Sequence, residues 1–168
     1  MEIGNKKIAE IFNLKLSKVR RWVREFLPPD EIAKRRSGYT RTISEADAWE
    51  VFFGGHILVE SNGYSIAESK KIIADLRDWI KSVGLYPGFS KNQRDNFSIS
   101  IEISKEWGQD YSFSYICKEI LEYIKNEETD IITERYRNSI IGETVSGRFY
   151  GSKQLNISDY FAEFMDKI

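Results

Sequence analysis

Four cations, Lys18, Arg20, Arg21 and Arg24, fall within seven residues around Trp22. A guanidinium donates two parallel hydrogen bonds to guanine O6 and N7, or neutralises a phosphate, and a helix fits the DNA major groove. The competing explanation is that these cations are only the solvated side of an ordinary helix. Spacing separates the two roles within the segment. Val19, Trp22, Val23 and Phe26 recur at i, i+3, i+4 and i+7, which makes them the attached face, with Trp22 as anchor. Lys18, Arg20, Arg21 and Arg24 take the remaining positions, and Lys15 and Ser17 stand at the helix start.

A second basic group follows. Lys34, Arg35 and Arg36 precede a Ser-Gly turn signal, and Tyr39 and Arg41 lie in the β-prone run after it. Cations at a hairpin tip suit phosphate or minor-groove contact, and equally a solubilising loop. Tyr39 can donate to a phosphate or pack the hairpin.

Other reactive types lack a supporting constellation. Cys117 and His56 are each the sole residue of their kind, so neither an internal disulfide nor a Cys/His zinc set can form. As a nucleophile pair they would need a third, orienting group; the expectation is a half-buried thiol and an imidazole in a loop or at a helix end. Glu102, Glu119, Glu122 and Glu134 stand in no acid/base or metal motif and are expected on a solvated acidic surface. The aromatics Trp107, Tyr111, Phe113, Tyr115, Tyr123, Tyr136, Phe149 and Tyr150 suit a core and a subunit interface. No catalytic, metal or cofactor-binding residue is expected, and the chain does not read as an enzyme.

The elements that must hold the basic groups are legible in outline. Ile8, Ile11 and Phe12 predict a short helix over 5–12, broken at Asn13. A second helix runs from Leu16 or Ser17 to about Phe26, since Pro28 and Pro29 cannot continue it. Residues 30–43 predict a hairpin, or wing. Ser44 with Asp47 opens an apolar helix that Gly54 and Gly55 should end; Ser65 with Glu68 opens another, capped by Gly84. The segment YPGFSKNQRDN, 86–96, reads as a linker. Beyond it Phe97, Ile99, Ile101 and Ile103 alternate as in a half-buried strand, with Tyr111, Phe113 and Tyr115 as the second arm of a hairpin. Residues 116–126 look helical, 130–141 suit a strand, and the chain from Asn156 onward suits a capped amphipathic helix.

With 168 residues and interspersed charges, the composition is that of a folding globular chain. Residues 1–43 hold eleven Lys and Arg against five Asp and Glu, a net of +6, whereas 91–168 hold ten against fourteen, a net of −4. A polyanion-binding surface therefore belongs to the N-terminal quarter. No apolar run approaches the roughly 20 residues of a membrane span, and MEIGNKKIAE lacks the apolar core of a signal peptide, so a cytoplasmic location without membrane contact is expected.

Six motifs in order carry a family resemblance: Ile3-Gly4, Arg20-Arg21-Trp22, Leu27-Pro28-Pro29, Gly38-Tyr39-Thr40-Arg41, Ser44-Glu45-Ala46-Asp47 and Gly63-Tyr64-Ser65-Ile66. Over about residues 3–83 the chain resembles the DNA-binding domain of the MerR family of transcription regulators and its relatives among phage excisionases. The resemblance implies a winged helix-turn-helix DNA-binding domain at 1–85 and a transcription regulator whose partner is double-stranded DNA. It does not reach past the linker, where the strands and the final helix read from their own pattern as a small α+β domain at 97–168 for dimerisation or ligand sensing, so the chain as a whole is expected to be α+β. One such module buries only about 600 to 1,000 Å² on DNA, so a homodimer is expected; the family's effector mechanism is not carried over, and an unidentified small-molecule effector stays open as a partner. Family members follow the fourth helix with a long dimerising helix; here Pro87-Gly88 and strands follow, so the C-terminal part is expected to supply the dimer contact, a ligand site or both. The alternatives are an excisionase-like or segregation-type architectural factor, and a protein-interaction adaptor that does not bind DNA.

Overall fold

A computed structural model of the chain describes residues 2–30, 41–82, 98–106, 112–141 and 149–168. The order is β1 (Glu2–Gly4), α1 (Asn5–Ile11), α2 (Leu16–Phe26), β2 (Thr42–Ser44), α3 (Glu45–Val51), a π-helical segment Phe52–Ser61, α4 (Ile66–Ser82), β3 (Ser98–Glu106), β4 (Ser112–Lys125), β5 (Ile132–Ile141), β6 (Phe149–Asn156) and α5 (Ile157–Lys167). The protein is thus mixed α and β. Its described residues form two compact units, residues 2–81 with 163–168, and those from 98 to Ala162. The expected linker and the Gly84 cap lie outside the described residues.

In the first unit, local signals act largely as their residue types require. Asn13 ends α1 in the left-handed region, φ 52°, which asparagine tolerates better than most side chains. Leu27 is extended, φ −101° and ψ 155°, as a residue before proline must be, and α2 stops at Phe26. Ser44 Oγ accepts from the Asp47 amide at 3.1 Å. At the start of α4 the exchange is reciprocal: Ser65 Oγ accepts from the Glu68 amide at 3.2 Å, and Glu68 Oε2 from the Ser65 amide at 2.8 Å.

Two features depart from sequence expectation. Residues 2–4, which contain the Ile3-Gly4 motif and for which the sequence pattern predicts no element, form a strand that pairs antiparallel with 42–44, Ile3 opposite Ile43. More consequentially, Gly54 and Gly55 do not end the helix that begins at Glu45. The chain continues through them as π-helix to Ser61, with the Asn62 amide donating to the Ile57 carbonyl at 3.1 Å. The reason is tertiary. A Cβ at Gly54 would overlap Ile73 and crowd the Phe26 ring at 3.1 Å, and one at Gly55 would overlap the indole of Trp22. Both glycines are notches that admit neighbouring side chains.

The core of this unit is aromatic. Phe12 and Phe52 have ring centroids 4.5 Å apart, Trp49 and Phe53 lie at 5.4 Å, and Phe164 meets Phe12, Trp49 and Phe52 at 5.5 to 5.6 Å. Such pairs each add about 0.5–1.5 kcal/mol beyond area burial. Beside them Glu50 is buried, and Arg77 donates to its two oxygens at 2.9 and 3.1 Å.

The second unit is a four-stranded antiparallel sheet in the order β5-β4-β3-β6. Ile99, Ile101, Ile103, Phe113, Tyr115, Cys117 and Leu155 bury one face. The Ile99 amide donates to Ser158 Oγ at 2.8 Å, tying β3 to the first turn of α5. Residues 116–125, expected as a helix, instead complete β4, whose pairing with β5 runs from Tyr115–Ile141 to Lys125–Ile132. An irregularity between Ile120 and Glu122 leaves Leu121 as the extra residue of a bulge. The bulge interrupts the alternation that would have marked a strand. The hairpin closes where Asn126 Oδ1 accepts from the Glu128 and Thr129 amides and Asp130 takes φ 56°.

Candidate nucleic-acid interface

The turn between α1 and α2 is held by its backbone. The Leu14 amide donates to the Ala9 carbonyl at 2.8 Å, and the Lys15 carbonyl accepts from Lys18 and Val19 amides at 2.9 and 3.2 Å. Lys15, at the N-cap, makes no side-chain cap and is exposed.

Helix α2 has two faces. Val19, Trp22 and Val23 are buried, Trp22 to 4 % exposure. Ser17, Arg20, Arg21 and Arg24 are all exposed, and at about 100° per residue they share an arc of roughly 100° opposite the buried stripe. The anchoring role expected for Trp22 is what its burial shows. Arg20 and Arg21 have no carboxylate within ion-pair distance among the described residues, while Arg24 lies 3.6 Å from Glu25, a longer contact than a hydrogen bond. Glu25 is engaged by Lys70 at 3.2 Å, and that hydrogen bond is the chief reason its carboxyl is held below the usual range.

Lys18 differs from its neighbours. It is on the flank of the arc, and its ammonium is paired with the carboxylate of Glu60 at the end of the π-helical segment. The hydrogen bond from Lys18 lowers the Glu60 pKa against the opposing effect of burial. His56 Nδ1 stands 3.6 Å from the other Glu60 oxygen, beyond hydrogen-bond reach, and is buried with no hydrogen-bond partner. Glu60 is the residue that sequence reasoning missed, because a helix ended at Gly54-Gly55 places nothing of 56–61 against α2. The same continuation puts His56 inside a helix, in place of the expected loop or helix end.

Of the second basic group only Arg41 falls in the described residues, half-buried immediately before β2. Lys34, Arg35, Arg36 and Tyr39 lie outside them. The described residues on either side of it are 27–30, after α2, and 41–44, which lead into the β1–β2 pair.

In the second unit the cations of the β4–β5 hairpin are matched within it: Lys118 with Glu134 at 2.7 Å, Arg135 with Glu122 at 2.7 Å, Lys125 with Asp130 at 2.7 Å, and Arg137 with Glu119. Lys118 also stands over the Tyr136 ring, 4.6 Å from its centroid. Cys117, expected half-buried, is buried, and burial pushes its pKa up to about 11, the opposite of nucleophile activation. Phe113 and Tyr115 are core, Tyr123 and Tyr136 are exposed, and Trp107 and Tyr111 lie outside the described residues. No group of three or more potential metal ligands occurs among the described residues, and no described helix is long and apolar enough to cross a membrane.

Comparison of the chain with known protein families, curated proteins and solved structures finds no match.

Proposed function

We propose that the first unit binds double-stranded DNA as a winged helix-turn-helix, and that the protein is a sequence-specific DNA-binding protein, a MerR-like transcription regulator of a bacterium or phage. The observation that carries this reading is the division of α2. Ser17, Arg20, Arg21 and Arg24 project from the side opposite a stripe locked to the core by Trp22. A rigidly anchored helix presenting Arg20 and Arg21, which have no carboxylate within ion-pair distance among the described residues, has the form that major-groove readout needs. The four-residue turn before it supports a helix-turn-helix, and the pairing of β1 with β2 supports the reading that the basic segment ahead of β2 is a wing. In this reading Arg20 and Arg21 reach bases, Lys15, Ser17 and Arg24 hold phosphates, and Lys34, Arg35, Arg36, Tyr39 and Arg41 serve the wing.

The test is binding to genomic fragments selected on the protein, followed by a salt titration. Roughly six phosphate contacts give a log–log slope near −5. Weak, salt-insensitive retention of DNA would refute the reading and favour a protein-interaction adaptor. Protection of recombination sites, where a regulator would protect promoter operators, would move it to the architectural class.

A further inference from the structure

All the large apolar side chains that stand exposed among the described residues lie in one place, the β4–β5 hairpin. They are Ile116, Leu121, Tyr123, Ile124, Ile131, Ile132 and Tyr136, from 38 to 61 % exposed. Within the hairpin, residues 122–125 pair with 132–135 beyond the last described β3–β4 pair, Ser98–Ile120. Directly opposed residues share a face. Tyr123, Ile132 and Tyr136 therefore project on the open side of the sheet, and Ile124 on the other. An apolar concentration of this size on a protein surface marks an interaction site.

We propose that the β4–β5 hairpin is a dimerisation arm whose occupant is the same arm of a second copy of this chain. Three observations select that occupant. The seven side chains leave on the order of 800 Å² accessible per copy, the area each partner contributes to a standard interface. Every Lys and Arg of the arm, Lys118, Lys125, Arg135 and Arg137, already has a carboxylate within the arm. A polyanion or an anionic membrane would meet an arm with four cations against six carboxylates, a net of −2, and every cation paired, whereas two copies bring together the apolar side chains, with the excess charge at the hairpin end in Glu127 and Glu128. Finally, in twofold association the same patch meets itself, so an arm exposed on both faces can clasp its counterpart. The proposal rests in part on the DNA reading, because one small module buries only about 600 to 1,000 Å² on DNA and doubling it supplies specificity.

Sedimentation of the full chain across 1 to 100 µM, orders of magnitude around a micromolar dissociation constant, tests it. The wild type is expected to run as a dimer, and Tyr123→Glu with Ile132→Glu to weaken association at least tenfold while keeping the wild-type circular dichroism. A wild type monomeric throughout, or a folded double variant that dimerises as tightly, overturns the proposal. A second measurement does not depend on that variant folding. Ile124→Cys treated with a flexible bismaleimide should give covalent dimer, while the wild type, whose only thiol is the buried Cys117, should not; absence of cross-linked dimer overturns the proposal. Dimerisation through the arm without DNA binding would sink the DNA reading alone, and DNA binding by a strict monomer would sink the arm alone.

Discussion

The bare α-carbon of Gly55 lies against the indole of Trp22, so close that a Cβ there would overlap the ring. This contact lets the π-helical segment pass directly beneath α2, and it fixes which side of α2 faces outward. Gly55→Ala should therefore destabilise the protein by about 1–3 kcal/mol through overpacking, and Trp22→Ala by about 3–5 kcal/mol through the cavity left behind. Thermal unfolding measures both. In a Trp22→Phe background the cost of Gly55→Ala should shrink, since the two positions share one space; strictly additive costs would show that the overlap is not what matters.

Arg20→Ala with Arg21→Ala removes two exposed guanidiniums and touches no core residue. Stability should change by about 0.5 kcal/mol or less. DNA affinity should fall at least tenfold, and the salt slope should become shallower by about 1.8 if both neutralise phosphate, or by less if they read bases. A folded double variant with wild-type affinity would remove α2 from the interface.

Lys18 and Glu60 make a sharper case, since the pair withholds one cation of the basic group. Lys18→Ala should leave DNA affinity nearly unchanged, whereas Glu60→Gln should raise it several-fold and steepen the salt slope by about 0.9, one further ion. The Glu60 pKa is lowered in the folded protein, so the pair is intact above the unfolded value and is lost only as pH falls through the lowered one. The difference between wild type and Glu60→Gln should thus persist down to the ordinary glutamate range, about 4.3. Equal titrations of the two proteins on operator DNA would show that Glu60 does not restrain Lys18.

The Arg77–Glu50 pair predicts a loss of a different kind. Glu50 is 6 % exposed and receives two hydrogen bonds from Arg77. Arg77→Met keeps much of the stem but strips that partner from a buried carboxylate, at a cost of about 3 kcal/mol. Denaturant unfolding should show a lower midpoint with an unchanged slope; an unmoved midpoint would mean that the carboxylate is satisfied without Arg77.

Cys117 should be inert in the folded state. Its thiol is pushed up to about 11, first by burial and then by Glu119, with Arg137 opposing. At pH 8 roughly one molecule in a thousand carries the thiolate that reacts. Maleimide labelling should be slow natively, rise steeply toward pH 11 and become rapid in denaturant. Rapid native labelling would place the thiol at the surface.

The features that local chemistry controls were readable from the sequence alone. Asn13 ends α1, Pro28-Pro29 ends α2, Ser44 and Ser65 start helices, and the alternation of Ile99, Ile101 and Ile103 marks β3, because each depends on backbone geometry or on a periodic buried face. The two faces of α2 were legible for the same reason. Tertiary structure decided what depends on distant partners. Gly54-Gly55 carries the statistical mark of a helix end, yet Ile73, Phe26 and Trp22 occupy the space their missing side chains leave. The strand at 2–4 exists because 42–44 lies beside it, and three residues carry too little pattern to announce a partner some forty positions away. Residues 116–125 read as a helix because residues 121–125 are exposed on both faces and have no single buried side, and the bulge at Leu121 breaks the alternation that begins at Phe113. The pairing of Lys18 with Glu60 belongs to the same class, a contact between residues 42 apart that only packing brings together.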